Sequence, residues 1–363
     1  MNIRASFGLT VLYILLSVFD VSAQEAEIPK TIWEVNRVNL GTILAEQGPQ
    51  IAEFKFTHTQ DSILVIEEVL TDCGCTTAEY TSDSLKVGEE GLVKISFDPV
   101  TAAGPFSRMI IVKGNLHSVE DTLFVEGTAI PFPQNPLIDY PVKRLDLGFR
   151  QSKVNVGQVF TNEPKLKAIE IFNFGSQTLR ADSIFFMGPE YLYLVGATDS
   201  IPSKSRGLVQ IAYDGAMKND LGFFEDDITL GWKGADSVRL DVIADVFEYF
   251  PPIPREDFNR VPQLLLSTKE IDFKDISPNE VQEEEVMLTN RGQQVLEIRK
   301  IQGNCTCLNL EMSGTQINPG ESLPLSIKFD PRGRLGRDQR NIYVFSNDPI
   351  NPVQLILLKS RIE

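Results

Sequence analysis

The stretch Val93-Lys94-Ile95-Ser96-Phe97-Asp98-Pro99 alternates apolar and polar side chains and then stops at a proline. Related stretches follow at residues 209–214 and 325–331, each 116 residues further along the chain. Apolar side chains with a period of two predict a strand that has one buried and one wet face. Proline ends such a strand because it lacks the backbone N–H that a continuing ladder needs. The sequence therefore predicts three copies of one β-structured unit.

Two proline-rich segments, residues 131–136 and 250–256, separate these copies. Strand-like runs recur every eight to twelve residues between Gly, Pro, Asn and Asp, a spacing typical of immunoglobulin-like sandwiches. We therefore predict an all-β chain of three tandem antiparallel β-sandwiches after a signal peptide. Their predicted bounds are 31–131, 137–250 and 257–363. Short opening strands are predicted at Val38–Gly41, Leu145–Gly148 and Ile271–Phe273.

Residues 1–23 have the pattern of a signal peptide. Arg4 precedes an uncharged stretch from Phe7 to Phe19, and Val21-Ser22-Ala23 places small residues before a cleavage site. An uncleaved anchor is the alternative, although 13 residues are too few to span a bilayer. No second long apolar run follows, so we expect no membrane insertion after cleavage. The predicted location is the periplasm or the cell surface.

The chain carries a formal net charge of −16, which argues against several partners. Nucleic acids and anionic membranes are disfavoured because their binding needs clustered Lys and Arg. A local basic cluster is formed by Arg332, Arg334, Arg337 and Arg340. This cluster is interpreted either as a solvated hairpin tip or as an anion or glycan site.

All four cysteines lie in two Cys-x-Cys pairs, Cys73/Cys75 and Cys305/Cys307, which are 232 residues apart. Pro189 and Tyr191 occupy the corresponding positions in the middle copy, so the unit folds without a thiol there. On an extended strand the paired Cα atoms would be about 6.6 Å apart, at the outer limit for a disulfide, and a bend brings them closer. Three interpretations stay open: a local disulfide or inert thiols, a redox-labile pair, or a low-probability soft-metal site for copper or zinc.

Enzyme motifs are missing from the sequence. His58 and His117 are its two histidines, and no nucleophile elbow, zinc-protease motif or phosphate loop accompanies them. The acidic runs 225–227 and 283–285 lack the spacing of a calcium loop and are interpreted as solvated strand ends. We therefore predict a protein that is not an enzyme, with no catalytic residue and no cofactor.

The third copy resembles a bacterial family of unknown function, domain-of-unknown-function family 1573. The residues that carry the resemblance are Asn290, Gly292, Leu296, Ile298, Cys305, Cys307, Pro319, Gly320, Glu321, Phe329, Asp330, Pro331 and Ser346-Asn347-Asp348-Pro349. The first copy matches from Leu64 to Pro99, and the middle copy keeps only the fold pattern. The resemblance implies immunoglobulin-like domains similar to those of abnormal-spindle and hydin-type proteins, in proteins commonly exported by Gram-negative bacteria. It implies no activity.

The resulting functional hypothesis is an exported, non-enzymatic multi-domain binding or scaffolding protein of the cell envelope. Its partner is expected to be an envelope or surface protein or a glycan, because sandwiches expose loops and edge strands to which partners bind. The alternative hypothesis is a thiol protein that binds copper or handles disulfides through Cys73/Cys75 and Cys305/Cys307. The two hypotheses differ in whether the cysteines are essential.

Overall fold

The computed structural model describes residues 31–116, 120–233 and 237–363. The predicted signal peptide, its cleavage site and His117 lie outside the described residues. The prediction of an all-β chain of three immunoglobulin-like sandwiches is confirmed, with each sandwich built from two principal sheets. Among the described residues, no helix combines the length and the apolar character that crossing a bilayer requires.

The first sandwich contains eight strands. They are β1 (Thr31–Trp33), β2 (Arg37–Leu44), β3 (Gln50–His58), β4 (Ile66–Thr71), β5 (Thr76–Tyr80), β6 (Glu90–Phe97), β7 (Gly104–Gly114) and β8 (Glu120–Ile130). One sheet has the order β1-β3-β6-β5 and the other β2-β8-β7-β4. Short 3-10 helices span Ala45–Gln47 and Pro99–Thr101. Strands β4 and β5 therefore lie at adjacent edges of opposite sheets.

The second sandwich contains eleven strands and two one-turn helices. The helices are α1 (Pro136–Asp139) and α2 (Gly215–Lys218), and a 3-10 helix spans Ala181–Ser183. The strands are β9 (Val142–Arg144), β10 (Leu147–Phe149), β11 (Lys153–Phe160), β12 (Lys165–Asn173), β13 (Leu179–Arg180), β14 (Ile184–Met187), β15 (Leu192–Ala197), β16 (Ser200–Ile201), β17 (Arg206–Tyr213), β18 (Gly222–Trp232) and β19 (Val238–Phe247). The sheet orders are β15-β17-β12-β10-β9 and β11-β19-β18-β14, with β13 and β16 as a separate pair.

The third sandwich follows a 3-10 helix at Arg255–Asp257. Its strands are β20 (Leu264–Leu266), β21 (Glu270–Ile276), β22 (Gln282–Asn290), β23 (Leu296–Gly303), β24 (Leu308–Met312), β25 (Gln316–Ile317), β26 (Ser322–Phe329), β27 (Gly336–Ser346) and β28 (Val353–Ile362). The sheet orders are β20-β22-β26-β24 and β21-β28-β27-β23-β25. Strands β23 and β24 lie in opposite sheets like β4 and β5, although the short strand β25 pairs with the first residues of β23.

Each sandwich has one parallel strand pair in an otherwise antiparallel framework, namely β2 with β8, β11 with β19 and β21 with β28. The openings predicted at Val38–Gly41 and Ile271–Phe273 lie in β2 and β21. The opening predicted at Leu145–Gly148 overlaps a short strand, β10, but this strand is not the equivalent of the other two openings, because the parallel strand of the middle sandwich contains Val154–Gly157. Residues 154–157 stand 116 residues after 38–41 and share the bulge in which an Asn side chain accepts a hydrogen bond from the glycine N–H.

The repeated strands supply the centre of each core. The inward residues are fully buried at Val93, Ile95 and Phe97, at Val209, Ile211 and Tyr213, and at Leu325, Ile327 and Phe329. They belong to separate hydrophobic clusters in the three sandwiches. Burying one such side chain contributes about 1.5–3 kcal/mol, so this alternation supplies much of the driving force for folding.

The chain divides into two compact units, one ending at Phe132 and the other beginning at Pro133. Within the second unit the middle and third sandwiches contact each other directly. The Phe223 ring lies 4.5 Å from the Tyr343 ring, and the Gln302 side chain hydrogen-bonds both the N–H and the C=O of Phe223. An ion pair between Lys300 and Asp220 lies beside this contact. The middle and third sandwiches are therefore joined by side chains as well as by the linker.

Strands β3, β12 and β22 are equivalent, and each ends in a buried polar residue whose side chain hydrogen-bonds within the turn that follows. Asn173 and Asn290 donate their side-chain amides to the carbonyls of Gln177 and Gln294, each four residues ahead. His58 stands in the same place, is fully buried, and its Nε2 contacts the Ser62 carbonyl at 2.5 Å, again four residues ahead. His58 therefore has the structural role that asparagine has in the other copies.

Replacing His58 by asparagine should leave the first sandwich as stable or more stable, because Asn can make the same bond to Ser62. Replacing it by leucine should cost about 1–3 kcal/mol, since the buried carbonyl then loses its donor. Urea unfolding followed by Trp33 fluorescence in a Trp232→Phe background measures both effects. Equal losses in the two variants would contradict this structural role.

Candidate functional site

The candidate site is the turn that carries the chain from one sheet of a sandwich to the other, here called the crossover turn. It spans residues 72–75 between β4 and β5, 188–191 between β14 and β15, and 304–307 between β23 and β24. The Cys-x-Cys pairs lie in the first and third of these turns. The structure therefore places the predicted cysteines at the same edge of two equivalent sandwiches.

The three crossover turns share the same backbone hydrogen bonds despite their different side chains. The first residue of each following strand donates its N–H to Cys73, Pro189 or Cys305, at 3.1, 2.8 and 3.4 Å. The aspartates that end the repeated strands, Asp98, Asp214 and Asp330, donate their N–H groups to Cys75, Tyr191 and Cys307, at 2.8, 2.8 and 2.9 Å. The turn thus keeps its backbone geometry whether or not it contains cysteine.

Within each Cys-x-Cys turn the two sulfur atoms are at bonding distance. The Cα atoms lie 5.1 Å apart for Cys73 and Cys75 and 5.2 Å apart for Cys305 and Cys307, within the range that a disulfide requires. The turn is bent rather than extended, which accounts for the short separation. All four cysteines are half-buried, and Cys75 and Cys307 pack against core residues.

The residues around these turns can be compared with the ligand sets that hold metal ions. No cluster of three or more His, Cys, Asp or Glu side chains suited to a metal occurs in the described parts of the chain. His58 serves the turn of the first sandwich and does not approach either cysteine pair through any hydrogen bond that we observe. The predicted site residues are therefore brought together only as two local cysteine pairs.

The middle crossover turn contains a polar network that the sequence analysis missed. The Tyr191 hydroxyl donates to Asp226 Oδ1 at 2.7 Å, and the Tyr213 hydroxyl donates to Oδ2 at 2.8 Å. Lys218 Nζ donates to both Tyr191 and Asp226, at 2.7 and 2.9 Å. Tyr191 occupies the position of Cys75 and Cys307, so hydrogen bonds anchor the middle turn where the other turns have sulfur.

The network shifts the pKa values of its members. Burial alone would raise the pKa of Asp226, but hydrogen bonds from Lys218, Tyr191 and Tyr213 outweigh it and lower that pKa. Burial alone would lower the pKa of Lys218, but its bonds to Tyr191 and Asp226 raise it instead. Burial and the bond to Asp226 raise the pKa of Tyr213. The ionised pair of Asp226 and Lys218 is therefore the stable form at neutral pH.

The acidic runs differ in their surroundings. Residues 283–285 are exposed near the start of β22, as predicted. In the run 225–227, Glu225 and Asp227 are exposed, but Asp226 points inward on β18 and is 13% exposed. The interpretation of Asp226 as a solvated residue was therefore wrong, because alternate residues of a strand face opposite sides.

A groove lies beside the middle crossover turn, with a volume of about 740 Å³. Its walls combine apolar side chains from β14 and β15 with carboxylates from the turn and from β18. The lining residues are Phe186, Met187, Gly188, Pro189, Glu190, Leu192, Tyr193, Glu225, Asp226, Asp227 and Thr229. Four of them are acidic and none is basic, and three of these carboxylates, on Glu225, Asp226 and Asp227, are paired with cationic side chains from outside the lining.

A second missed network stabilises the opposite sheet of the middle sandwich. Glu170 on β12 is buried and accepts hydrogen bonds from Arg206 at 2.7 Å, from the Tyr140 hydroxyl at 2.5 Å and from Arg150. Tyr140 follows α1, and its ring packs against that of Phe172 with the ring centroids 5.0 Å apart. Burial and the bond to Glu170 raise the pKa of Tyr140 well above its usual value. This network attaches the segment around α1 to the sheet.

The basic cluster of the third sandwich is divided between a loop and a strand. Arg332 and Arg334 lie in the connection after β26, and Arg337 and Arg340 lie on β27. Arg332 pairs with Asp330, and hydrogen bonds from Arg332 lower the pKa of that aspartate to about 2. Arg334 and Arg340 both pair with Asp338. Three of the four guanidinium groups are therefore partnered by carboxylates.

The motif residues of the third copy bind the chain's own backbone. Asp348 is 1% exposed, and its carboxylate accepts hydrogen bonds from the N–H groups of Leu264, Ile350 and Asn351. A side chain at Gly292 would meet the Val261 carbonyl at 2.0 Å, so only glycine fits there. These contacts give the motif residues a structural role in the third sandwich.

Comparison with solved structures gives remote similarity. A protein of unknown function from Porphyromonas gingivalis W83 is 16% identical, with 60% of this chain and 99% of that chain aligned and a TM-score of 0.44. The seventh PapD-like domain of human CEP192 is 15% identical, with 32% and 93% aligned and a TM-score of 0.25. The titin fragment I67–I69 is 9% identical, with 93% and 99% aligned and a TM-score of 0.20.

No curated protein matches the sequence. The family model for the protein of unknown function DUF1573 matches residues 31–129 and 264–359, which are the first and third sandwiches and together more than half of the chain. Both matched segments contain a Cys-x-Cys crossover turn. The chain therefore belongs to the DUF1573 family.

Proposed function

We propose that this protein is an exported, non-enzymatic binding or scaffolding protein of the cell envelope. The observation that carries the proposal is that the polar motif residues hydrogen-bond the protein's own backbone. Asn290 and the strand-ending aspartates bind backbone groups of their own sandwich, and so do their counterparts in the other copies, while Asp348 does so in the third sandwich. What the copies share is therefore a rigid framework, and exposed turns and sheet edges are left for partners.

Export is part of the proposal and has its own test. Cleavage after Ala23 is expected, because small residues close an apolar run of signal-peptide length. Amino-terminal mass spectrometry of the native protein should find Gln24 as the first residue. A native peptide that retains Met1 to Phe19 would contradict cleavage and favour the anchor.

Changing all four cysteines to serine should leave the fold and partner binding intact. Each disulfide closes a very small loop, so its loss is expected to cost about 1.5 kcal/mol or less. The measurement is a pull-down from envelope extract with the wild type and the serine variant side by side, accompanied by thiol counting and elemental analysis.

Recovery of the same partner by both proteins would support the scaffold. Near-stoichiometric copper or zinc in the wild type, absent from the serine variant, would overturn it in favour of the thiol alternative. Loss of partner capture by a folded serine variant would also show that the cysteines form part of the binding site.

A further inference from the structure

The edge of β18 is less covered than the equivalent edges of the other sandwiches. Strand β4 pairs with residues 110–114 of β7, and β23 pairs with residues 342–346 of β27. With the repeat of 116 residues, both pairings correspond to residues 226–230 of β18. Strand β14, however, pairs only with residues 229–232. Within the described chain, residues 226–228 therefore have no strand partner on this side.

In the first and third sandwiches the residue before the Cys-x-Cys pair also hydrogen-bonds the neighbouring strand, at the position next to its last paired residue. The backbone N–H of Asp72 donates to the Met109 carbonyl, and the Asp72 carboxylate accepts from the Met109 N–H at 3.1 Å. Asn304 makes the same two bonds with Asn341. The equivalent residues in the middle sandwich are Gly188 and Glu225, and glycine has no side chain to make the second bond. The uncovered edge therefore runs from Glu225 to Ile228.

The neighbouring position on β18 shows which way these backbone groups point. Gln302 accepts a hydrogen bond from the Phe223 N–H at 2.9 Å and donates to the Phe223 carbonyl at 3.1 Å. The backbone of Phe223 thus faces away from β19, and in an antiparallel pair every second residue does the same. Glu225 and Asp227 consequently direct their N–H and C=O groups to the uncovered side. A carboxamide offers the donor and acceptor of a peptide group, so Gln302 already binds this edge as a peptide would.

The side chains around the uncovered edge define the chemistry of an added strand. Glu225 and Asp227 point outward, whereas Phe186, Met187 and Leu192 provide apolar walls of the groove. Lys153 and Arg239 pair with the two carboxylates, but these pairs are exposed and weakened by solvent. An incoming strand with alternating basic and apolar residues would match both sides of this edge.

Building on the proposed binding function, we propose that residues 225–228 of β18 bind an extended segment of another protein, in which basic and apolar residues alternate, as an added strand. Main-chain hydrogen bonds to Glu225 and Asp227 supply affinity, and the carboxylates select basic side chains. A second copy of this chain is a poor occupant, because each copy carries a net charge of −16. Glycans cannot supply the regular pattern of amides that this edge pairs with.

The probe for this site is a Lys-Val-Lys-Val-Lys-Val peptide with blocked ends, titrated into the full chain to about 1 mM, the weak end of specific binding. Hydrogen exchange should show new protection at the amides of Glu225 and Asp227, whose N–H groups face the uncovered side. Two further peptides carry N-methyl groups on either all lysine or all valine amides. Because only one alternating set faces the edge, one methylated peptide should bind at least about tenfold more weakly and the other should bind nearly normally.

A protein variant tests the charge requirement. Glu225→Lys with Asp227→Lys should weaken the unmodified peptide at least about tenfold, and Glu283→Lys with Glu285→Lys on exposed β22, which changes the net charge equally, should not. Equal weakening by both protein variants would overturn the proposed strand addition. So would the result that both methylated peptides lose binding, or that neither does. Absence of protection at Glu225 and Asp227 would overturn it as well. If envelope pull-downs still recovered a partner, the binding function would stand while this site for it would fall.

Discussion

The middle sandwich should lose about 3–5 kcal/mol of its free energy of unfolding when Glu170 is replaced by leucine. The side chain of Arg206 is only 1% exposed and would lose its ion pair with Glu170, which stabilises its buried charge. Tyr140 would lose its acceptor at the same time, and the segment around α1 would lose one of its attachments to the sheet. Removing one partner of a buried ion pair is among the most destabilising single changes in a protein.

The double variant Glu170→Leu with Arg206→Met should be less destabilised than the sum of the two single changes, because it leaves no buried charge without its partner. Urea unfolding followed by Trp232 fluorescence in a Trp33→Phe background reports on the middle sandwich alone. Asp182→Asn provides the control, since its pair with Arg180 is exposed and should contribute little. A loss at Glu170 no larger than in this control would refute the structural role of the buried network.

Replacing Asp226 by asparagine is expected to cost about 2–3 kcal/mol at neutral pH, since Lys218 and two tyrosines would lose a charged acceptor. It should also change the response to acid. The pKa of Asp226 is lowered in the folded protein from an ordinary value of 3.8, so its contribution is complete above that value. As pH falls below about 4 and through the lowered pKa, the wild type should lose this contribution progressively.

Unfolding of the same Trp232 reporter at several pH values between 3 and 7 measures this effect. The difference in stability between the wild type and Asp226→Asn should shrink as the solution becomes more acidic. Asp227→Asn is the matched control, because Asp227 is the next residue on β18 but is exposed and pairs with exposed Arg239. A constant difference across the pH range would show that the Asp226 charge does not stabilise the fold.

The strand framework could be predicted from local sequence, because residues such as Ile95 and Ile327 alternate with polar neighbours. The short strand predicted at Leu145–Gly148 in the middle sandwich exists as β10, but the counterpart of Val38–Gly41 is Val154–Gly157. Applying the spacing of 116 residues to Val38–Gly41 would have selected the correct stretch. Periodicity thus identifies strands, whereas the repeat decides which strand is equivalent to which.

The polar networks could not be predicted in the same way. Glu170 and Arg206 are 36 residues apart, and their contact depends on β12 and β17 being neighbours in one sheet. The sequence held one indication that Glu170 is buried, because it stands between Ile169 and Ile171. Tyr191 was recognised as the counterpart of a cysteine, but its partners Asp226 and Lys218 come from β18 and α2. Contacts between side chains on different strands can be predicted only once the order of the strands in the sheets is known.

The contact between Gln302 and Phe223 has a consequence for shortened forms of the protein. It protects one end of an exposed strand edge, and such edges pair with other chains when nothing covers them. A fragment that ended near residue 250 would keep β18 but lose the amide that caps it, leaving the aromatic ring of Phe223 uncovered beside an edge several residues longer. We therefore expect the third sandwich to protect the second from aggregation. Proteolytic removal of the third sandwich should release a fragment that aggregates more readily than the full chain.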